Sequence, residues 1–329
     1  MPIALPIKNA LIMIQYIAKE NGKLVFLDKW QEGVWINIIP PHHKDELEEL
    51  SERFNIPLDF LTDPLDIEER ARYEWEDDIK LIVINIPFKE KDNDDNENHS
   101  YYRTIPLGIV ITPYNIITIS SKENNVIQRF LDGKVKNFKP SKIQHFILKI
   151  MEQTVLWYLE YLKRLNYKRN MLEQELYNSS RNKELKELLK IEKSLVYFLN
   201  SLKADELLLM KMKRTDFLKI RENEDYLDYF EDIIIDYSQG LDMANVHTNI
   251  LGGIMDTYAT IISNNFNNLV QRLTFITIIL EVPTLVASFY GMNVDLPFSG
   301  YKYIFYILFS VSFVLGIFLV WVVTQKVKL

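Results

Sequence analysis

The sequence predicts an α+β domain, a mixed α/β sandwich, followed by long stalk helices and two C-terminal transmembrane helices. Three observations carry this. Charges all but vanish after Arg272, where only Glu281, Asp295, Lys302, Lys326 and Lys328 follow. No proline occurs from residue 141 to 282, and Gly240, Gly252 and Gly253 are the only glycines there. Before Pro140, in contrast, short apolar runs alternate with turn residues. The 48% hydrophobic content of the 329 residues is thus an average over a charged part and a lipid-soluble part.

Taken in order, residues 11–18, 23–27 and 34–39 are β-rich runs, with Asn21-Gly22 as a hairpin turn and Pro40-Pro41 as a stop. A charged helix is predicted over 45–54 and a short one over 57–61. Runs 79–86 and 105–111 flank an acidic, polar tip at 89–99, and 115–120 pairs back across Thr112-Pro113-Tyr114. These elements form a domain over 1–140. Three helices then follow, at 141–177, 182–213 and 222–290. The last is on the order of 100 Å long at 1.5 Å per residue, too long for a globular core element. The stalk is assigned to 141–268, a first span to 269–290, an external loop to 291–302, a second span to 303–324 and a tail to 325–329.

Residues 303–323 carry no charge and make about 31 Å of helix, the thickness of a hydrocarbon core. Residues 273–290 are long enough to span but include Glu281. Two spans joined by a short loop place both ends on one side, and the stalk Lys and Arg with Lys326 and Lys328 mark it as cytoplasmic. Tyr301, Tyr303 and Tyr306 suit the outer interface and Trp321 the inner one. Residues 1–17 lack a cleavage pattern. The expectation is a multi-pass protein of the cell membrane, with the bilayer as partner and both termini cytoplasmic.

Composition removes several function classes. A net charge of −7 argues against a nucleic-acid partner, since phosphates need clustered Lys and Arg. The absence of cysteine excludes disulfides and thiolate metal sites. The five histidines are scattered, and His42-His43 reads as a solvated turn. No P-loop, dinucleotide fingerprint or nucleophile constellation occurs, so no enzyme is expected.

The first span carries a different signal. Its polar residues Thr274, Thr277, Glu281, Thr284 and Ser288 are spaced 3-4-3-4, on one helical face. The stripe extends back through Val270, Asn267, Ser263, Thr260, Asp256, Gly252, Asn249, Asn245 and Asp242. A heptad seam coexists with it: Phe230, Ile234, Tyr237, Leu241, Ala244, Thr248, Leu251, Met255, Tyr258, Ile262, Asn265 and Leu269. An ionisable residue in a span normally faces a bundle interior or water. One stripe per chain cannot enclose a channel, so several copies must surround an axis. The plainer alternative is a set of small packing residues whose hydroxyls bond their own backbone.

The first span ends in Tyr290-Gly291-Met292-Asn293. A Gly-Met-Asn triplet at the outer end of the first of two C-terminal spans, after a long stalk helix, resembles the signature loop of the CorA family of divalent-cation transporters. The element order and the segment Glu69-Arg70-Ala71-Arg72-Tyr73-Glu74 before Asp77-Asp78 are similar to that family as well. The resemblance implies a funnel-shaped homopentamer, with Mg²⁺ both transported and regulatory. It implies a selectivity filter at Gly291, Met292 and Asn293, an inner pore asparagine at Asn267 and a pore-lining threonine at Thr284. It also implies an acidic ring at Asp256, and at Asp232 a regulatory metal carboxylate. The partner acid of Asp232 would come from the neighbouring subunit after the 79–86 strand, at Glu90 or Asp92. An entry site of amide and carbonyl oxygens suits a cation that dehydrates reluctantly. Three departures accompany the match. Glu281 stands where an uncharged residue is expected, the 294–300 loop has a single acid, Asp295, and the tail ends in only two lysines.

The expected function is passive, potential-driven uptake of Mg²⁺, with Co²⁺ and Ni²⁺ as further cargo, gated by cytosolic Mg²⁺. A proton-coupled Zn²⁺ transporter of the same family and a membrane-anchored sensor without flux stay open as alternatives.

Overall fold

A computed structural model describes residues 14–20, 23–89, 101–178, 182–292, 297 and 300–327. The chain forms two compact units, Met1–Gly252 and Gly253–Leu329.

The first unit is built on a seven-stranded sheet. Its strands are β1 (Ile14–Glu20), β2 (Lys23–Leu27), β3 (Trp35–Ile38), β4 (Arg72–Glu76), β5 (Ile79–Lys89), β6 (Tyr102–Ile111) and β7 (Ile116–Ser120), in the order β2-β1-β3-β7-β6-β5-β4. Only β3 and β7 pair in parallel. Alternation along the strands builds two cores. Ile36, Ile38, Leu81, Val83, Val110, Ile117 and Ile119 face α1 (Lys44–Phe54) and α2 (Leu58–Thr62), where Leu47, Leu50, Phe60 and Leu61 complete the layer. On the other face, Trp35 packs edge-on against Phe130, Phe138 and Phe146, and its indole N–H donates to Thr118 Oγ1 at 2.7 Å. That layer consists of α3 (Asn125–Leu131), α4 (Ile143–Asn178) and α5 (Asn182–Thr215). Gly108 on β6 is dictated by space, because a Cβ there would overlap the Pro64 ring.

Strand β4 and helix α3 were not predicted. In β4 the apolar Tyr73 and Trp75 alternate with charges, and the strand is fixed from far along the chain by Phe217, whose ring lies 4.3 Å from that of Tyr73. Helix α3 is only 7 residues long, and its start is set locally by Asn124, whose side chain accepts from the Ile127 N–H at 2.9 Å. Residues 11–13, the Asn21-Gly22 turn and the 90–99 tip lie outside the described residues.

Helix α6 (Glu224–Tyr290) begins in the first unit and ends in the second. In the first unit the seam residues Phe230, Tyr237, Ala244 and Leu251 are buried, one every seven residues. Gly240 lets the helix approach Leu202 of α5 and Leu159 of α4. The second unit holds the rest of α6 and α7 (Ile304–Val327), and both helices are long and apolar enough to cross a membrane. Pro283 has no N–H, so the Ile279 carbonyl loses its helical partner. Gly316 of α7 passes against that point: a Cβ on it would lie 3.3 Å from Ile279 Cα and 3.4 Å from Ile279 O.

Candidate functional site

The contact with Gly316 fixes which face of α6 meets α7, and therefore which face is left. At 100° per residue, Thr274, Thr277, Glu281, Thr284 and Ser288 fall within about 40° of the direction opposite Ile279. Val270 lies on the same line, and Asn267 beside it. All seven are exposed, as is Asp256 further back along the stripe. Residues on the α7 side, among them Phe275, Ile278, Ile279, Pro283 and Val286, are partly or fully buried.

The hydroxyls on this face have a defined polarity. Thr274, Thr277 and Thr284 donate to the carbonyls of Val270, Leu273 and Leu280 at 2.9, 2.9 and 2.7 Å. These are the bonds that the packing alternative requires. They also use up each O–H proton, so the threonine oxygens face outward with lone pairs, as acceptors. Such a row suits cations and the hydrogens of their hydration water.

At the C-terminal end of α6 the Gly291 N–H closes the helix on Ala287 O at 2.9 Å, and Met292 is exposed. The Tyr290 hydroxyl donates to Pro297 O at 3.1 Å, which ties the loop to the helix end. Asn293 lies outside the described residues, as do Glu90 and Asp92. Strand β5 runs to Lys89, so both of those acids follow it directly.

Asp232 is exposed in the segment Tyr229-Phe230-Glu231-Asp232. The structure adds two acids that sequence reasoning missed, Asp236 beside Asp232 and Glu152 beside Asp236. Asp236 is half-buried, and burial raises its carboxyl above the ordinary range, with Asp232 and Glu152 of α4 pushing the same way. Asp236 was readable from its spacing, four residues after Asp232, whereas Glu152 depends on how α4 packs on α6. Oxygen-only groups suit a hard cation, although here Lys149 already pairs with Glu152 at 3.0 Å. Among the described residues, no group of three or more His, Cys, Asp or Glu could hold a metal ion.

A third acid, away from these two, was also overlooked. Asp205 of α5 is fully buried and accepts from the Asn85 N–H on β5 at 3.0 Å, while the Tyr158 hydroxyl donates to Asn85 O at 2.9 Å. Burial, offset by the two bonds from Asn85, raises its carboxyl well above the ordinary range. Tyr237 of α6 is buried within reach of its charge. The cluster joins β5, α4, α5 and α6. The segment Glu69–Glu74 is structural here: Arg72 binds Glu69, Asp63 at 2.7 Å and Glu74 at 2.7 Å, which clamps β4 to the turn before it.

Two C-terminal candidate spans, one with an acceptor-lined face, joined to an α/β unit, define a membrane transport protein. The family model described as CorA-like Mg²⁺ transporter protein matches residues 30–326, and the chain belongs to that family, one of transporters and not of enzymes. It is 28% identical to the cobalt/magnesium transport protein CorA of Methanocaldococcus jannaschii over 88% of this chain and 89% of that one. It is 22% identical to the cobalt/magnesium transport protein CorA of Thermotoga maritima, over 87% and 80% of the two chains. The complete structure of the CorA magnesium transporter from Methanocaldococcus jannaschii superposes with a TM-score of 0.77 at 25% identity, covering 94% of this chain and 97% of that one.

Proposed function

We propose that this protein takes up Mg²⁺ passively across the cell membrane through a homo-oligomeric, five-subunit pore, and that its relatives named for cobalt and magnesium transport make Co²⁺ a second cargo. One observation carries the reading: the exposed acceptor stripe of α6 lies opposite the face that Gly316 packs against. Several copies arranged about an axis would line a path with Ser288, Thr284, Glu281, Thr277, Thr274, Val270 and Asn267. The ion enters hydrated at Gly291, Met292 and Asn293. It is then driven inward by the membrane potential, which for a divalent ion supplies roughly 4.6 kcal/mol per 100 mV. The heptad seam packs α6 against its own chain, and the exposed face of the stalk opposite it meets the neighbouring subunits. Cytosolic Mg²⁺ at Asp232, with Asp236 close by and Glu90 or Asp92 of a neighbouring subunit, braces the closed stalk; Asp256 forms an acidic ring above it. Loss of that ion leaves like charges facing one another and loosens the stalk.

Uptake of Mg²⁺, Co²⁺ and Zn²⁺ into proteoliposomes under a negative-inside potential tests this. Mg²⁺ entry that Asn293→Ala abolishes, and whose inhibition by Mg²⁺ on the cytosolic face weakens with Asp232→Ala, is the expected result. Zn²⁺ entry driven by a proton gradient would point to a proton-coupled zinc transporter instead. No flux of any ion would leave a membrane-anchored sensor.

A further inference from the structure

We propose that Glu281 is the direct coordination point for the divalent cation within the membrane, where a carboxylate replaces part of the ion's water and sets the preference over monovalent ions. This deepens the pore reading and rests on it. Glu281 is exposed on the face opposite Ile279, in the middle of the first span. Between Arg272 and Lys302 the chain holds no Lys or Arg to pair with it. An ionised group in a bilayer needs a partner.

The neighbouring hydroxyls do not serve as that partner. Thr277, one turn before, and Thr284, three residues after, spend their protons on Leu273 O and Leu280 O. The two threonines are therefore acceptors, and with the Glu281 carboxylate beside them the patch is completed by a cation or by the water a cation carries. The carbonyl that Pro283 frees does not compete, because Ile279 O lies against Gly316 on the opposite face. That leaves Glu281 as the one anionic ligand along the stripe inside the membrane. Carboxylates gathered about an axis favour a small divalent ion over K⁺, whose single charge repays less of the cost of dehydration.

The experiment compares wild type, Glu281→Gln and Glu281→Asp in proteoliposomes, measuring Mg²⁺ uptake against Mg²⁺ concentration and K⁺ leak at the same potential. Glu281→Gln is expected to raise the half-saturating Mg²⁺ by about tenfold or more and to admit K⁺. Unchanged Mg²⁺ dependence with K⁺ still excluded overturns the assignment, including the case of an acid that stays protonated, which glutamine would mimic. If the Gln variant fails to assemble on size-exclusion chromatography, the Asp variant decides by the same two readouts. The natural absence of cysteine allows an independent arm. A cationic thiol reagent on Thr277→Cys should block that variant's own flux. A block there with a silent Glu281→Gln rejects only the role of Glu281, whereas a reagent without effect rejects the pore reading itself.

Discussion

Helix α6 lives in two solvents, and the contrast between its halves explains why only one of them speaks about function. In the first unit the helix buries Phe230, Tyr237, Ala244 and Leu251 and exposes Asp242, Asn245 and Asn249. That is ordinary amphipathic behaviour, with water covering the polar side. In the second unit Leu269, Leu273, Ile276, Leu280, Leu285 and Phe289 are exposed, and so are the threonines. Apolar groups there need lipid or another copy of the chain to cover them. A polar stripe that persists in such surroundings demands a polar counterpart, whereas the same spacing in the first unit demands none.

The largest expected effect tests whether the second unit depends on the close helix contact at Gly316. Gly316→Leu would drive a side chain into the Ile279 backbone, where a Cβ alone already sits at 3.3 Å. Mg²⁺ uptake should fall to the level of empty liposomes, with the assembly disrupted on size-exclusion chromatography. The first unit should be unaffected, its unfolding free energy changing by no more than about 0.5 kcal/mol. Tryptophan fluorescence can follow it, because Trp30, Trp35, Trp75 and Trp157 lie there and only Trp321 in the second unit.

The reverse test removes the buried acid of the first unit. Asp205→Ala leaves the Asn85 N–H without its acceptor and should cost about 1–3 kcal/mol, seen as a lower thermal midpoint. Asp205→Asn keeps an acceptor oxygen and should cost less. Uptake by the folded protein at lower temperature should hardly change. If Asp205→Ala reduces flux as much as Gly316→Leu does, the two units are energetically one, and the contrast between them fails.

Periodicity explains what could be read in advance. The sandwich, the three long helices and both spans were legible because apolar patterns of period 2 and 3.6, together with the loss of charge after Arg272, are local properties of the chain. The stripe was legible for the same reason, down to Glu281. Partners distant in sequence were not. Strand β4 needs Phe217, about 140 residues on, and Glu152 meets Asp236 only through helix packing. Asp205 lies between these cases. It shares the apolar face of α5 with Leu202 and Leu209, and an acid in that register is a visible anomaly, but its answering N–H on Asn85 is not.

The smallest expected effect is a pH slope confined to the first unit. His42, His145 and His247 all have their pKa lowered, in each case mainly by burial. Lys149 and Lys142 add to this at His145, and Arg169 at His247, while the bond to Ser120 O partly offsets it at His42. In the unfolded chain these rings titrate near 6.5. Above that pH both states hold them neutral and their contribution to stability is complete. As pH falls below it, the unfolded state takes up protons first and stability drops, until the folded-state values are passed. Asp205 acts in the opposite sense. Its raised carboxyl favours the folded state fully below the ordinary value of 3.8, and that contribution is lost as pH rises towards its folded-state value. The second unit has no histidine, so no such slope should arise there. The tryptophan-monitored midpoint should therefore fall by a few degrees on acidification from above pH 6.5 to below it. A variant with His42, His145 and His247 all changed to Gln should lose most of that fall. If the variant keeps the slope, the acid sensitivity belongs to carboxylates, and burial of the three rings has no bearing on the stability of the first unit.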